Sequence, residues 1–198
     1  MSKVPLKLVF ATHNANKYRE VRAQLPVEID LLYLADLTQE APVEETAQSL
    51  RGNAFLKMDA VVQNSGMNCF ADDTGLEVMA LNGAPGVYSA RYAGAKANAE
   101  ENMAKLLNSM DDVEDRRAQF RTVIALSWDG VTHYFEGICS GHILRQPRGM
   151  AGFGYDPIFQ PLGHDRTFAQ MTLAEKSVLS HRGLAMNQLM EWLSDRLK

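Results

Sequence analysis

Leu6-Lys-Leu-Val-Phe-Ala-Thr-His-Asn-Ala-Asn-Lys17, followed after a helical stretch by Ile29-Asp-Leu-Leu-Tyr-Leu34, decides the fold. The apolar run from Leu6 to Ala11 reads as a strand. Thr12 to Lys17 reads as a polar loop, and the segment carrying Val21 and Leu25 as a helix. A helix between two apolar runs supplies the crossover that a parallel pair requires, so Ile29 to Leu34 is expected beside the first strand. An α/β sheet follows.

Further along, Leu50, Ala54, Met58 and Val61 repeat at three- and four-residue spacing, predicting a helix over about Thr46 to Asn64 with Asn53, Lys57 and Asn64 on one flank. Cys69-Phe-Ala71 predicts a buried strand that ends at a turn in Asp72-Asp-Thr-Gly75 and resumes at Leu76. Gly83 to Gly86 reads as a loop and Ala99 to Met110 as a helix. Gln119 to Trp128 and Val131 to Gly137 form a hairpin turned by Asp129-Gly130. Gly149, Gly152 and Gly154 mark a flexible loop. Ser180 is placed to cap a last helix whose buried stripe includes Leu184, Leu189, Trp192 and Leu193.

The 198 residues are 46% hydrophobic, ample for a globular core, and the net charge of −4 offers no broad cationic field for a nucleic acid. No apolar stretch is long enough to span a bilayer, so neither a membrane nor a nucleic acid is an expected partner, and cytoplasmic residence is the plain expectation. Cys69 and Cys139 lie in apolar segments without metal-ligand spacing and read as reduced core residues.

Four polar clusters carry the chemistry: Thr12 to Lys17, Glu44-Glu45, Asp72-Asp73, and the late set Asp156, Lys176, His181 and Arg182. Carboxylates unaccompanied by Cys or paired His favour a hard cation such as Mg²⁺, and Lys17, Lys57 and Lys176 complement a polyphosphate. The first loop can turn backbone N–H groups toward phosphate, but it also reads as an Asn-rich helix cap. Adjacent strand residues face opposite ways, so one of Asp72 and Asp73 is structural unless the turn begins between them. Phe153 or Tyr155 can stack on a base, while His181 and Arg182 can donate to a carbonyl oxygen. Phe153 is equally compatible with the core, and His181-Arg182 with a solvated first turn. Neither a Walker A loop nor a dinucleotide fingerprint is present.

Together, Ala11 to Lys17 with Glu20, Glu44-Glu45-Thr46 with Asn53-Ala54 and Lys57, Ala71 to Leu76, Gly83 to Gly94, Gly152 to Phe159, Thr167 to Met171, Glu175-Lys176 and Ser180-His-Arg182 resemble the inosine/xanthosine triphosphate pyrophosphatase family. The resemblance implies one domain over residues 1–198, with a mixed twisted sheet flanked by helices and two lobes about a central cleft. It implies a homodimer that, with Mg²⁺, hydrolyses ITP, dITP and XTP to the monophosphate and pyrophosphate, removing them before incorporation into DNA and RNA. Under it, Thr12, His13, Asn14, Ala15, Asn16, Lys17 and Lys57 contact phosphate. Asp73 is the catalytic base and a metal partner, with Glu44, Glu45 or both at the metal, and Thr74 contacts substrate. Phe153, Gly154, Tyr155, Asp156, Lys176, His181 and Arg182 bind the nucleoside. His13 and Asn16 stand where many members carry glycine, and Thr74 where many carry serine. Arg91 matches the pattern and is expected in loop packing or a dimer contact.

Two rivals are weighed beside it. Asp73-Thr-Gly75 is the tripeptide by which aspartic proteases present paired carboxylates, yet only one copy is present and the lysines would go unexplained. A nucleotide-binding regulator without turnover would lack the base or a metal ligand, whereas Asp73 and the lysines are all in place.

Overall fold

The computed structural model describes residues 6–38 and 41–196. Its strands form a mixed seven-stranded sheet. The first strand, β1 (Leu6–Phe10), runs parallel to β2 (Ile29–Tyr33) in the register Leu6 to Ile29, as the crossover predicts. It also runs parallel to β3 (Cys69–Val78). The order continues through β5 (Arg117–Trp128), β6 (Val131–Ile143) and β7 (Phe159–Pro161), while the short β4 (Pro85–Gly86) pairs antiparallel with β3.

The connecting helices are set by their caps. In α1 (Ala15–Arg22), the Asn14 side chain accepts from the amides of Asn16 and Lys17, satisfying two otherwise open first-turn donors. A four-residue turn of helix, α2 (Leu34–Leu37), follows β2. The predicted helix from Thr46 begins later, as α3 (Leu50–Ser65), because Ser49 takes the Gly52 amide at 3.1 Å and starts the helix there. Its stripe Leu50, Ala54, Met58 and Val61 is buried as expected. Helix α4 (Ala99–Asn108) is closed by a reciprocal capping box between Asn98 and Glu101. The β5–β6 turn is Asp129-Gly130 with both φ angles positive, 48° and 79°, the geometry that matches strand twist in a two-residue hairpin.

Two helices end the chain. The first, α5 (Leu173–Leu179), was not predicted. The last, α6 (His181–Ser194), is capped by Ser180, whose Oγ accepts from the Gly183 amide. The expected stripe is corrected: Ala185, Met186, Leu189 and Leu193 are buried, whereas Leu184 and Trp192 are only partly so. Leu189 and Leu193 hold as expected, while the first turn of the stripe falls on Ala185 and Met186 rather than on Leu184.

The chain divides into two compact units, one comprising the residues to Asp73, Thr122–Glu136 and Ala185 onward, the other Thr74–Arg121 and Gly137–Leu184. In the first, one core joins Leu8, Phe10, Val21, Leu25, Phe70 and Leu189, and a second joins Val9, Ala11, Ala54, Met58, Cys69 and Ala71. Alternation along β1 and β3 thus puts α1 and α6 on one sheet face and α3 on the other. The second unit is built around Leu76, Leu106, Phe120, Ile143, Phe159 and Phe168. Cys69 and Cys139 are free and buried, and burial pushes their thiols up to about 12 and about 11, as inert core residues require.

The expected turn at Asp72-Asp73-Thr74-Gly75 does not exist, since β3 runs unbroken through it. Gly75 serves pairing instead, because a β-carbon there would lie 2.7 Å from the Gly86 carbonyl oxygen of β4. Gly75→Ala is therefore expected to cost about 1–3 kcal/mol. Thermal unfolding should show a midpoint lowered by roughly 2–12 °C, whereas Gly66→Ala, at an open helix end, should lose less despite its positive φ.

Candidate active site

The unbroken strand gives Asp72 and Asp73 opposite directions. Asp72 faces α1, where Lys17 Nζ donates to Oδ1 at 3.0 Å. Asp73 faces α3, where Lys57 Nζ donates to Oδ1 at 2.9 Å and Asn53 Nδ2 to Oδ2 at 3.3 Å. Asn53 and Lys57 stand four residues apart, one helical turn, so a single face of α3 grips both oxygens of the carboxylate. Asn64, on the same predicted flank, is exposed and takes no part.

The same ammonium donates to Glu45 Oε1 at 2.8 Å. Glu45 reaches it because the loop ahead of α3 is pinned: the Ala47 amide donates to Asn53 Oδ1 at 3.0 Å. Gly52 also leaves room for Ala47, whose methyl lies 2.6 Å from where a Gly52 β-carbon would stand. Glu44 is exposed, so of the two glutamates only Glu45 joins Asp73. Asn53, absent from the sequence-derived site, thus ties both acids together. Its signal was the four-residue spacing to Lys57.

Burial raises the Asp73 pKa, opposed by the charges of Lys57 and Lys17 and reinforced by Glu45. For Lys57, burial works downward, but Asp73, Glu45 and Asp72 outweigh it and the ammonium is held above its ordinary value. The group is therefore a cation between two carboxylates, one of which retains some basicity. Its acidic donors are oxygen alone, the set suited to Mg²⁺, which commonly uses one or two carboxylates and completes its shell with water and substrate phosphate. Among the described residues no three His, Cys, Asp or Glu side chains gather to hold a metal unaided. The residues fit a cation shared with a ligand.

In the phosphate-loop candidate, Asn14 is occupied as the cap of α1, so the helix-cap reading holds for that side chain. Thr12 Oγ1 accepts from the Asn14 amide at 3.1 Å, and the His13 carbonyl accepts from Tyr33 Oη at 2.9 Å. Ala15 is exposed and Asn16 half-buried at the start of the helix.

The second unit holds the late cluster. Asp156 Oδ2 accepts from the Phe153 amide at 2.8 Å and from Lys176 Nζ at 2.5 Å. Gly152 (φ 76°) is needed here, because a β-carbon would run into that carboxylate. Lys176 Nζ and Arg182 Cζ lie 5.0 and 5.7 Å from the Phe153 ring centroid. Phe153 and Gly154 are half-buried. Tyr155 is core, with its hydroxyl on the Ser89 carbonyl at 2.9 Å. His181 and Arg182 are 3% and 1% exposed, which excludes a solvated first turn. His181 stacks on Phe120 at 4.5 Å, and Arg182 Nη2 donates to Thr74 Oγ1 at 3.1 Å. The corner that buries them depends on Gly183, where a β-carbon would fall on the Ser177 carbonyl.

The model of the Ham1 family matches residues 8–192. The chain belongs to the Ham1 family. Among the relatives of this Ham1 chain, a protein of Christiangramia forsetii named dITP/XTP pyrophosphatase is 53% identical, covering 96% of the chain and all of the relative. One of the same name from Porphyromonas gingivalis is 48% identical, covering 94% and 97%. The solved Staphylococcus aureus Ham1 protein superposes with a TM-score of 0.86 at 41% identity, covering 96% and 99%. The HAM1 protein from Coxiella burnetii gives 0.87 at 38%, with the same coverage.

Asp156→Ala leaves the buried Lys176 without its carboxylate and should cost about 3–5 kcal/mol in denaturant unfolding; an unchanged midpoint would contradict the pairing. Because Lys57 opposes the upward shift of Asp73, Lys57→Met should move the Asp73 carboxyl titration to still higher pH, measured by NMR in metal-free protein.

Proposed function

We propose that this chain hydrolyses purine nucleoside triphosphates carrying altered bases, ITP, dITP and XTP, to the monophosphate and pyrophosphate. The carrying observation is the buried Asp73 held with Glu45 on Lys57, in a chain matched over nearly its whole length by relatives named dITP/XTP pyrophosphatase. The role is removal of such nucleotides before their incorporation into DNA and RNA.

Asp73 takes a proton from the water that attacks the α-phosphorus, while the bond to the bridging oxygen breaks and pyrophosphate departs. Burial suits it to this work by raising its affinity for that proton. Lys57 and Lys17, with the loop of residues 12–17, neutralise the polyphosphate, which carries more charge than one cation can balance. Asp73 and Glu45 would hold Mg²⁺, which when bound supplies charge neutralisation to the phosphates and the leaving group. Glu44, exposed, is assigned no ligand role.

For the base, the half-buried ring of Phe153 offers a stacking face, and Lys176, His181 and Arg182 supply donors. A 6-keto oxygen accepts such a bond where a 6-amino group cannot, and a donor left unpaired disfavours the wrong base by about 1–3 kcal/mol. Asp156 and Tyr155 serve this set by holding the loop. Homodimer formation and cytoplasmic residence complete the proposal. Tyr88, 55% exposed beneath the Arg91 guanidinium, supports a contact role for the loop that carries them.

Asp73→Asn should lower kcat by about 100-fold or more while changing nucleotide affinity little, since it keeps shape and removes the base. A near-normal rate would take Asp73 out of the chemistry. A panel of nucleoside triphosphates, with pyrophosphate and orthophosphate measured separately, should give pyrophosphate from ITP and XTP in preference to ATP and GTP, and a magnesium chelator should abolish it.

A further inference from the structure

Thr74 follows Asp73 in the chain but points the other way. Strand alternation places Phe70, Asp72, Thr74 and Leu76 on one face of β3 and Asp73 on the opposite one. On that face Arg182 Nη2 donates to Thr74 Oγ1 at 3.1 Å. Arg182 is the largest fully buried side chain among the described residues. A guanidinium is planar, so an acceptor fixed at one terminal nitrogen sets the direction of its remaining N–H groups. A threonine is a stiff acceptor, because branching at its β-carbon restricts χ1 more than in serine.

We infer that Thr74 is a positioning residue that orients the Arg182 guanidinium and thereby sets the discrimination between keto and amino purines, an inference that rests on the function proposed above. Thr74 acts through Arg182 and takes no part in the proton transfer at Asp73. Its loss must therefore appear in base selectivity and leave the acid limb of the kcat profile where it is.

The test compares Thr74→Val, which keeps shape and removes the acceptor, with Thr74→Ser, Arg182→Ala and the Thr74→Val/Arg182→Ala double variant. Each is assayed for kcat and KM on ITP and ATP by pyrophosphate release. Thr74→Val should lower the ITP:ATP ratio of kcat/KM by about 10-fold, the effect of one misplaced buried hydrogen bond. Thr74→Ser should stay within about 3-fold of the parent, and the double variant should be no less selective than Arg182→Ala alone. Equal losses on both nucleotides, an unchanged ratio, a displaced acid limb, or selectivity losses that multiply in the double variant would each overturn the inference. Should Thr74→Val not accumulate as folded protein, Thr74→Ala gives the same reading. A parent that releases no pyrophosphate from ITP refutes the functional proposal itself; a selective parent with an equally selective Thr74→Val refutes only the role of Thr74.

Discussion

One ammonium group, Lys57 Nζ, holds the acidic site together. Asp73 is buried against α3, where an unpaired carboxylate would take up a proton rather than stay charged. Lys57 meets it and Glu45 at once, at 2.9 and 2.8 Å. Each feature around the group serves that meeting. Asn53, one turn earlier on α3, takes the second Asp73 oxygen and anchors the Ala47 amide, and Gly52 lets that loop lie against the helix. The result is a pair of carboxylates near one charge, kept ionisable in a buried place.

The strand β3 distributes the chemistry. Because it continues through Asp72, Asp73 and Thr74 without a turn, successive side chains are dealt to opposite faces. Asp72 is neutralised by Lys17 from α1, Asp73 by Lys57 from α3, and Thr74 receives Arg182 within the second unit. The acid site belongs to one compact unit and the Phe153, Lys176 and Arg182 set to the other.

Much of this was legible in the sequence, and the failures have physical causes. The parallel pair, the α3 stripe and the Asp129-Gly130 hairpin follow from periodicity and turn chemistry, which are local. The opposed directions of Asp72 and Asp73 follow from strand geometry alone. The turn at Asp73-Thr74-Gly75 was misread because its glycine answers to the Gly86 carbonyl, eleven residues away, which no local pattern reports. Tyr155 and Phe153 were interchangeable in the sequence; the Ser89 carbonyl takes the Tyr155 hydroxyl and assigns it to the core. Burial of His181 and Arg182 depended on the tight corner at Gly183, and the ion pair of Glu45 on a lysine twelve residues further on.

In the proposed reaction, water activated at Asp73 attacks the α-phosphorus. Hydrolysis of ITP in ¹⁸O-labelled water, with products resolved by mass or ³¹P NMR, locates the bond that is cleaved. Attack at the α-phosphorus puts the label in the monophosphate and leaves the pyrophosphate unlabelled. Label in the pyrophosphate, or release of orthophosphate as the first product, would contradict it.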